Sequence, residues 1–458
     1  MSQTAPSPSS TTLSQGRLLT FALANLPISA LSIAVFVYLP PYFAGHLGVS
    51  MALVGGVWMG VRLLDIPVDV LIAVLMDRTR TPIGRYRFWM ILGAPILMLA
   101  LFRLFMAPHG FGAGYLITWL LAMYLGNSIL YLSMSAWGAT LATLYHERSR
   151  LFGALAAVGV VGALMVLLIP ILGQSFGRSN AQSVQAMGWF LVGLIPLAVG
   201  IAATRTPERI QRDTPGPSFV LADYVQVLLK PDLLRLFLAQ MALTLGPGWM
   251  SALYLFFFTD SRGFTVQQAS LLLAAYILSG VPGALGTAAL ARRIGKHRTL
   301  MVTTTIFSLS LFSIFVTPKA NLLASLPIML VAGAMGSGFG LMIQAMLADV
   351  GDEVRLTQGK ERISLLYAIN ALAAKIAAAF SIGLTFPLLD RLGYNPAEHA
   401  VNTAAAINNL TIAFIAGPIV FVMLGGACVI GWRLDARRQG EIRGALDARD
   451  AEFAASGG

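Results

Sequence analysis

The chain has 458 residues, of which 57% are hydrophobic and 11% charged, and it carries a formal net charge of +11. A water-soluble domain carries about 25% charged residues, so there is too little charge to cover a water-facing surface, and the solvent for most of the chain is lipid. The single cysteine, Cys428, excludes an intramolecular disulfide and a cysteine metal cluster.

Residues 1–16 are rich in Ser, Thr and Pro and uncharged. They lack the basic start and apolar core of a signal peptide, so 1–17 reads as a disordered tail. A membrane-crossing helix needs about 20 mainly apolar residues. Twelve such stretches follow: 18–44, 50–76, 88–106, 113–142, 150–173, 186–204, 233–259, 267–291, 299–317, 322–348, 362–389 and 406–432. Helices satisfy every backbone polar group within lipid, so the expected class is an all-α membrane protein. Residues 205–232 are the longest polar interior stretch and separate a six-helix bundle, 18–204, from a second, 233–432. Within that linker, Val220–Leu229 suits a short interfacial helix. Residues 433–458 form a charged tail.

Outside mid-span positions, the tails and the loops on their side hold 24 Lys and Arg, against five on the other side (Arg103, Arg178, Arg262, Lys319 and Arg391). Basic residues concentrate on the cytoplasmic side, which puts both termini there and supports an even number of spans. The positive charge is thereby accounted for without a nucleic-acid partner. His46, His109, His146, His297 and His399 fall in or near loops, none spaced as a ligand pair, and read as solvated. No G-x-x-x-x-G-K-[ST] segment is present to hold ATP.

The halves repeat. The loop after the second span reads Asp77-Arg78-Thr-Arg80-Thr-Pro-Ile-Gly84-Arg85-Tyr-Arg87, and that after the eighth reads Arg292-Arg293-Ile-Gly295-Lys296-His-Arg298. Such basic, Gly-containing turns at matching positions resemble the major facilitator architecture of two six-helix halves around a central cavity.

Four charges lie well inside spans: Arg62, Asp65 and Asp69 in the second and Lys375 in the eleventh. Each is costly at membrane depth and is retained when it faces a cavity or a partner. Positions i, i+3 and i+7 share one helical face. Two carboxylates one turn apart make either a hard oxygen site for a cation or a pair whose mutual repulsion retains a proton. The alternative is a buried ion-pair network locking the second span to the eleventh through Lys375. Pro67, between the aspartates, removes a backbone N–H and loosens the turn. Asp349, Asp352 and Glu353, beside Arg355, Lys360 and Arg362, suit a gate or anchor at the end of the tenth span. Gly336 and Gly340 suit close helix packing. Trp137, Tyr131, Tyr367 and Trp249 are candidates to line a cavity or an interface.

The Arg62-Leu-Leu-Asp65-Ile-Pro-Val-Asp69 stretch with its Asp77–Arg87 loop resembles the glycoside–pentoside–hexuronide:cation symporters of the major facilitator superfamily, whose melibiose permease type is best known. Ser135-Ala-Trp137-Gly-Ala-Thr140 with His146-Glu147-Arg148-Ser-Arg150, Ala348-Asp349-Val-Gly-Asp352-Glu353 with Thr357–Arg362, and Ala374-Lys375 carry the same resemblance. It implies that Asp65 and Asp69 bind the coupling cation, with Arg62 and Lys375 as charge partners, and that Trp137 contacts a sugar. Asp77, Arg78, Arg85, Asp349, Asp352 and Arg362 would form the cytoplasmic gate. An ungapped reading places Ser29, Ser133 and Val158 where sugar-binding members carry Asp, Asp and Arg. It places Val68 and Leu130 where sodium users carry Asn and Thr, which favours a proton over sodium as coupling ion. With Tyr131 and Tyr367, Ser29 and Ser133 complete the expected solute site. The resemblance implies a monomeric secondary transporter of the bacterial inner membrane that needs no cofactor. It would move a carbohydrate or a less polar solute such as a lysolipid. A membrane enzyme on lipid-linked substrates lacks a His or Cys cluster here, and a sensor would need Arg433–Gly458 as its output surface.

Overall fold

The computed structural model describes residues 15–141, 145–208, 231–358, 363–398 and 400–455. The expected interfacial helix at 220–229 lies outside them, as do Arg362 and His399. The N-terminal half comprises α1 (Leu18–His46), α2 (Met51–Arg78), α3 (Arg85–Phe105), α4 (Ala113–Leu141), α5 (Tyr145–Ser175) and α6 (Asn180–Arg205). The C-terminal half comprises α7 (Pro231–Ser261), α8 (Val266–Ile294), α9 (Lys296–Val316), α10 (Leu322–Gln358), α11 (Ile363–Arg391) and α12 (Ala404–Ala427). A further helix, α13 (Ala436–Ala455), follows.

Among the described residues, eleven helices are long and apolar enough to cross a membrane. The remaining expected span, α2, is 28 residues long and falls outside that set. It is the helix that carries Arg62, Asp65 and Asp69. At 1.5 Å per residue its length still exceeds a bilayer's hydrocarbon core of about 30 Å.

Local chemistry starts these helices where the sequence permits. Ser50 caps α2 by accepting from the Leu53 N–H, and capping boxes open α6 (Ser179, Gln182) and α8 (Thr265, Gln268). Gly84 and Gly295, at φ 103° and 87°, turn the chain into α3 and α9, a conformation that glycine adopts without cost. Pro40 and Pro41 lack N–H groups, and α1 widens into π-type turns on either side of them, at Ala34–Tyr38 and Tyr42–His46.

The halves share a plan. In the first, α1 packs on α5, α2 on α4, and α3 on α4 and α6; in the second, α7 packs on α11, α8 on α10, and α9 on α10 and α12. The two larger interfaces that join them are α2 with α11 and α8 with α5, and α1 also meets α7. Within each half short connections make successive helices antiparallel, and Tyr38 late in α1 meets Ser270 early in α8, so odd-numbered helices run from the face carrying both tails, the tail face, to the far face. Near the far face, the Tyr38 hydroxyl bonds Ser270 at 2.7 Å, Gln267 donates to the Ile171 carbonyl, and the Glu398 N–H donates to the Gly45 carbonyl. All three cross between the halves.

Three expectations change. Helix begins at Gln15, inside the expected disordered tail. The charged tail after 432 is helical and docked: Ile442 and Leu446 are buried, and Gln439 and Arg443 bond Asp352 at the end of α10. Of the glycine pair on α10, Gly340 faces open space; a Cβ on Gly333 would instead strike the Tyr276 carbonyl of α8, and one on Gly283 of α8 would strike Ala334.

Candidate functional site

The intramembrane charges come together between the halves. Asp65, on α2, is 2% exposed. Its Oδ1 accepts from the Ser128 hydroxyl on α4 at 3.0 Å, and its Oδ2 lies 2.9 Å from Lys375 Nζ on α11 and 3.4 Å from Arg62 Nη1. Lys375 also donates to Asp69 Oδ2. The same ammonium therefore bridges both carboxylates across the α2–α11 interface. Arg62 is held by its ring contacts, with its guanidinium 4.7 Å from the Tyr124 centroid and 5.9 Å from that of Phe36.

Two cations and two anions balance to zero, which a site away from water requires, because an uncompensated buried charge costs several kcal/mol. The two aspartates are not equivalent. Asp65 is enclosed and has partners on both oxygens. Asp69 is more exposed, and its Oδ1 is buried without a hydrogen-bond partner. An acceptor in that state has unused capacity for a proton or a cation. Pro67, one turn beyond Leu63, supplies no N–H, so the Leu63 carbonyl lacks its usual helical donor.

Sequence spacing identified Arg62, Asp65, Asp69 and Lys375 but not Ser128. Leu130, read as the fourth-span position beside the pair, is buried among apolar side chains, and Ser128, two residues earlier, faces Asp65 instead. A lone hydroxyl in an apolar span leaves no periodic signal, and a two-residue shift in reading α4 moves the contact to another face.

The other expected solute residues do not gather at this cluster. Trp137 is fully buried (0% exposed). Its indole N–H donates to the Pro207 carbonyl at 3.3 Å, its ring meets Phe21 edge-on, and Arg87 lies over it. In this arrangement it anchors the start of the linker. Ser133 is buried against Met76 Sδ at 3.8 Å. Ser29 is half-buried facing Gly159 of α5, while Tyr131 and Tyr367 are exposed. Trp249 is buried, donating to the Ala413 carbonyl.

Of the expected gate, Asp77 and Arg85 form an exposed pair at 3.4 Å, and Arg78 is exposed at the end of α2. Lys296 grips Asp349 with both carboxylate oxygens at 2.7 Å. Asp352 holds α13, as described. These contacts each lie within one half. Glu208 adds a device absent from the sequence reading: its carboxylate accepts from the N–H groups of Tyr86 and Arg87 at the start of α3, at 2.9 and 3.0 Å. Negative charge there complements the helix dipole.

The histidine reading needs correcting at one position. His46 is half-buried, stacks on Tyr42, and has its ring 5.3 Å from that of His109. Its Nδ1 lies 3.2 Å from Glu398 of the other half. Among the described residues, no group of three or more His, Cys, Asp or Glu forms a metal site.

A family model described as MFS/sugar transport protein matches residues 20–436. The chain is 24% identical to the isoprimeverose transporter of Lactiplantibacillus pentosus, over 90% of this chain and 86% of that one. It is also 24% identical to the glucuronide carrier protein homolog of Escherichia coli (strain K12), over 86% and 87%. The fold is similar to that of the nucleoside transporter NupG, with a TM-score of 0.67 at 13% identity, covering 92% of this chain and 100% of that one. A bacterial homolog of the human lysosomal transporter Spinster, described as inward-facing and unoccupied, superposes with a TM-score of 0.66 at 15% identity, covering 91% and 97%.

Proposed function

Because the chain belongs to the MFS/sugar transport protein family, and is thus a multi-pass transporter rather than an enzyme, we propose that it is a cation-coupled symporter that imports a sugar or glycoside by alternating access. On this reading it works as a monomer in the bacterial inner membrane, and the tail face is cytoplasmic, as the charge count favours. The far face is then the outer one. The contacts that cross between the halves near that face suit an inward-facing state.

The observation that carries the reading is the Lys375 bridge to Asp65 and Asp69 across the α2–α11 interface. Bringing a cation to Asp69 gives the balanced cluster a net positive charge. At an effective dielectric of about 20, unit charges 4 Å apart interact by roughly 4 kcal/mol, so the arriving cation competes with Lys375 for the carboxylates. Releasing Lys375 unties the halves at mid-depth, and that release couples cation occupancy to the turnover of the carrier. Asp65 keeps Ser128 and Arg62 as partners and holds the register of α2 while Asp69 exchanges.

We assign the proton as coupling ion. Asp69 offers one unpartnered oxygen, which suffices for a proton, whereas sodium takes several oxygen ligands and Val68 supplies none. Ser128 does add one neutral oxygen beside Asp65, which is the observation that keeps sodium as a second reading.

The test is uptake into cells and proteoliposomes of isoprimeverose, lactose, a glucuronide and a lysolipid. Each is measured with and without sodium and with a protonophore. Accumulation of a glycoside that persists in sodium-free buffer and collapses with the protonophore is the expected result. Sodium-dependent accumulation would overturn the proton assignment, and uptake of the lysolipid alone would overturn the glycoside.

A further inference from the structure

A polar cavity lies between the halves at the far face. It has a volume of about 830 Å³, within the range of small-molecule clefts, about 300–1,000 Å³. Tyr42, His46, Arg178 and Asn180 of the first half face Asp260 and Glu398 of the second across it. Tyr38 and Phe256 also line it, and the Tyr38–Ser270 bond is one of the contacts that seal the halves together near the far face.

The walls are pre-arranged. Tyr394 donates its hydroxyl to Asp260, and Thr259 donates to the other Asp260 oxygen at 2.6 Å. Burial and the Asp260 carboxylate push the Tyr394 phenol well above its ordinary range, so it stays a donor. Tyr42 and His46 are stacked with ring centroids 5.3 Å apart at 23°, forming a flat aromatic wall beside Glu398. The Asp260 carboxylate held by Tyr394 and Thr259, the Glu398 carboxylate, the five N–H donors of Arg178 and the amide of Asn180 match the alternating donors and acceptors of a polyhydroxyl ring. With two carboxylates against one guanidinium, the lining disfavours an anionic solute.

The geometry points to this cleft as an outer binding site for a neutral sugar, occupied while the far-face seal is shut and separate from the central site. The assignment rests on the glycoside reading and on the cytoplasmic placement of the tails. Because both halves contribute walls, opening the seal reshapes the site and releases its occupant inward.

The experiment uses Ala397→Cys, at a small exposed residue of the lining that carries none of the binding groups, in a Cys428→Ser background, labelled in intact cells with a membrane-impermeant thiol reagent, with lactose and isoprimeverose as probes. A neutral disaccharide at millimolar concentration is expected to slow labelling several-fold, and a glucuronide to slow it less. Arg178→Ala is expected to remove the protection and to raise the apparent KM for uptake several-fold while leaving the KM for efflux from preloaded vesicles unchanged. Asp260→Asn serves as the second variant, with the same one-sided shift. Disaccharide uptake without protection overturns the outer site and leaves the transport reading standing. Protection without uptake of either sugar leaves the site and overturns the transport reading. Labelling only after permeabilisation overturns the outward placement of the cleft and the proposal with it.

Discussion

The two larger interfaces between the halves are built on one register and differ in chemistry. Pro67 stands seventeen residues after the N-cap Ser50 of α2, and Pro282 seventeen after the N-cap Thr265 of α8. Counted the same way, Arg62, Asp65 and Asp69 correspond to Ile277, Gly280 and Ala284. On the partner helices, Lys375 lies twelve residues before Pro387 of α11, and Val158 lies twelve before Pro170 of α5. One interface therefore carries every intramembrane charge of the cluster, and its counterpart carries none at those positions. The neutral interface packs with a bond from Gln267 to the Ile171 carbonyl as its polar tie. Packing two such halves does not demand charge. The charges in α2–α11 are an addition that is costly at membrane depth, and the proposed coupling role gives a reason for their presence that packing alone does not.

The largest expected effect breaks the comparison on the charged side. Asp69→Asn should lower concentrative uptake by about a hundredfold or more while solute exchange survives, whereas Ala284→Asn at the matching position should change uptake by no more than about twofold, each tenfold step being about 1.4 kcal/mol. Accumulation at the wild-type level by Asp69→Asn would remove the coupling role from this interface.

Lys375→Ala comes next. It leaves two carboxylates facing Arg62 alone, and losing one partner of a buried ion pair costs about 3–5 kcal/mol. A lower melting temperature in detergent is expected, with much of the loss recovered in Lys375→Ala/Asp69→Asn, which restores neutrality without restoring coupling. An unchanged melting temperature in the single variant would mean that the bridge adds nothing to the resting state.

Glycines sharpen the contrast in packing. Gly333→Ala places a methyl against the Tyr276 carbonyl where α10 meets α8, and should destabilise by about 1–3 kcal/mol. Gly60→Ala on α2 meets nothing within 4 Å and should be neutral or stabilising by up to about 1 kcal/mol, since alanine is the better helix former. Equal melting temperatures for the two variants would contradict the close α8–α10 approach.

The smallest effect concerns Trp137. Trp137→Phe keeps the contact with Phe21 but loses the bond to the Pro207 carbonyl, a loss of about 1 kcal/mol. A small drop in melting temperature with unchanged solute KM fits a linker anchor. A tenfold rise in KM at constant melting temperature would mean that the indole reaches the solute.

Much of this architecture was legible in the sequence. The apolar spans and the polar linker showed in hydropathy. The Gly84 and Gly295 turns were visible as a repeated motif, and the three charges of α2 as a single helical face. The candidate site was half legible. Spacing placed Asp65 beside Asp69, and the one lysine of the eleventh span stood out as a partner because no other charge lies well inside that span. What spacing missed was Ser128, the second life of His46 as a contact of Glu398, and the turning of Trp137 toward the linker.

The division has a physical cause. Burial in lipid and helical periodicity act within about 20 consecutive residues, so the sequence by itself determined the helices, their alternation and which side chains share a face. Which faces then meet depends on the rotation and offset of helices far apart in the chain. That Lys375 spans 306 positions to reach Asp69, that Ser128 rather than Leu130 turns to Asp65, and that Asp69 rather than Asp65 keeps an unpartnered oxygen were decided by tertiary packing, where a shift of one residue presents a different side chain.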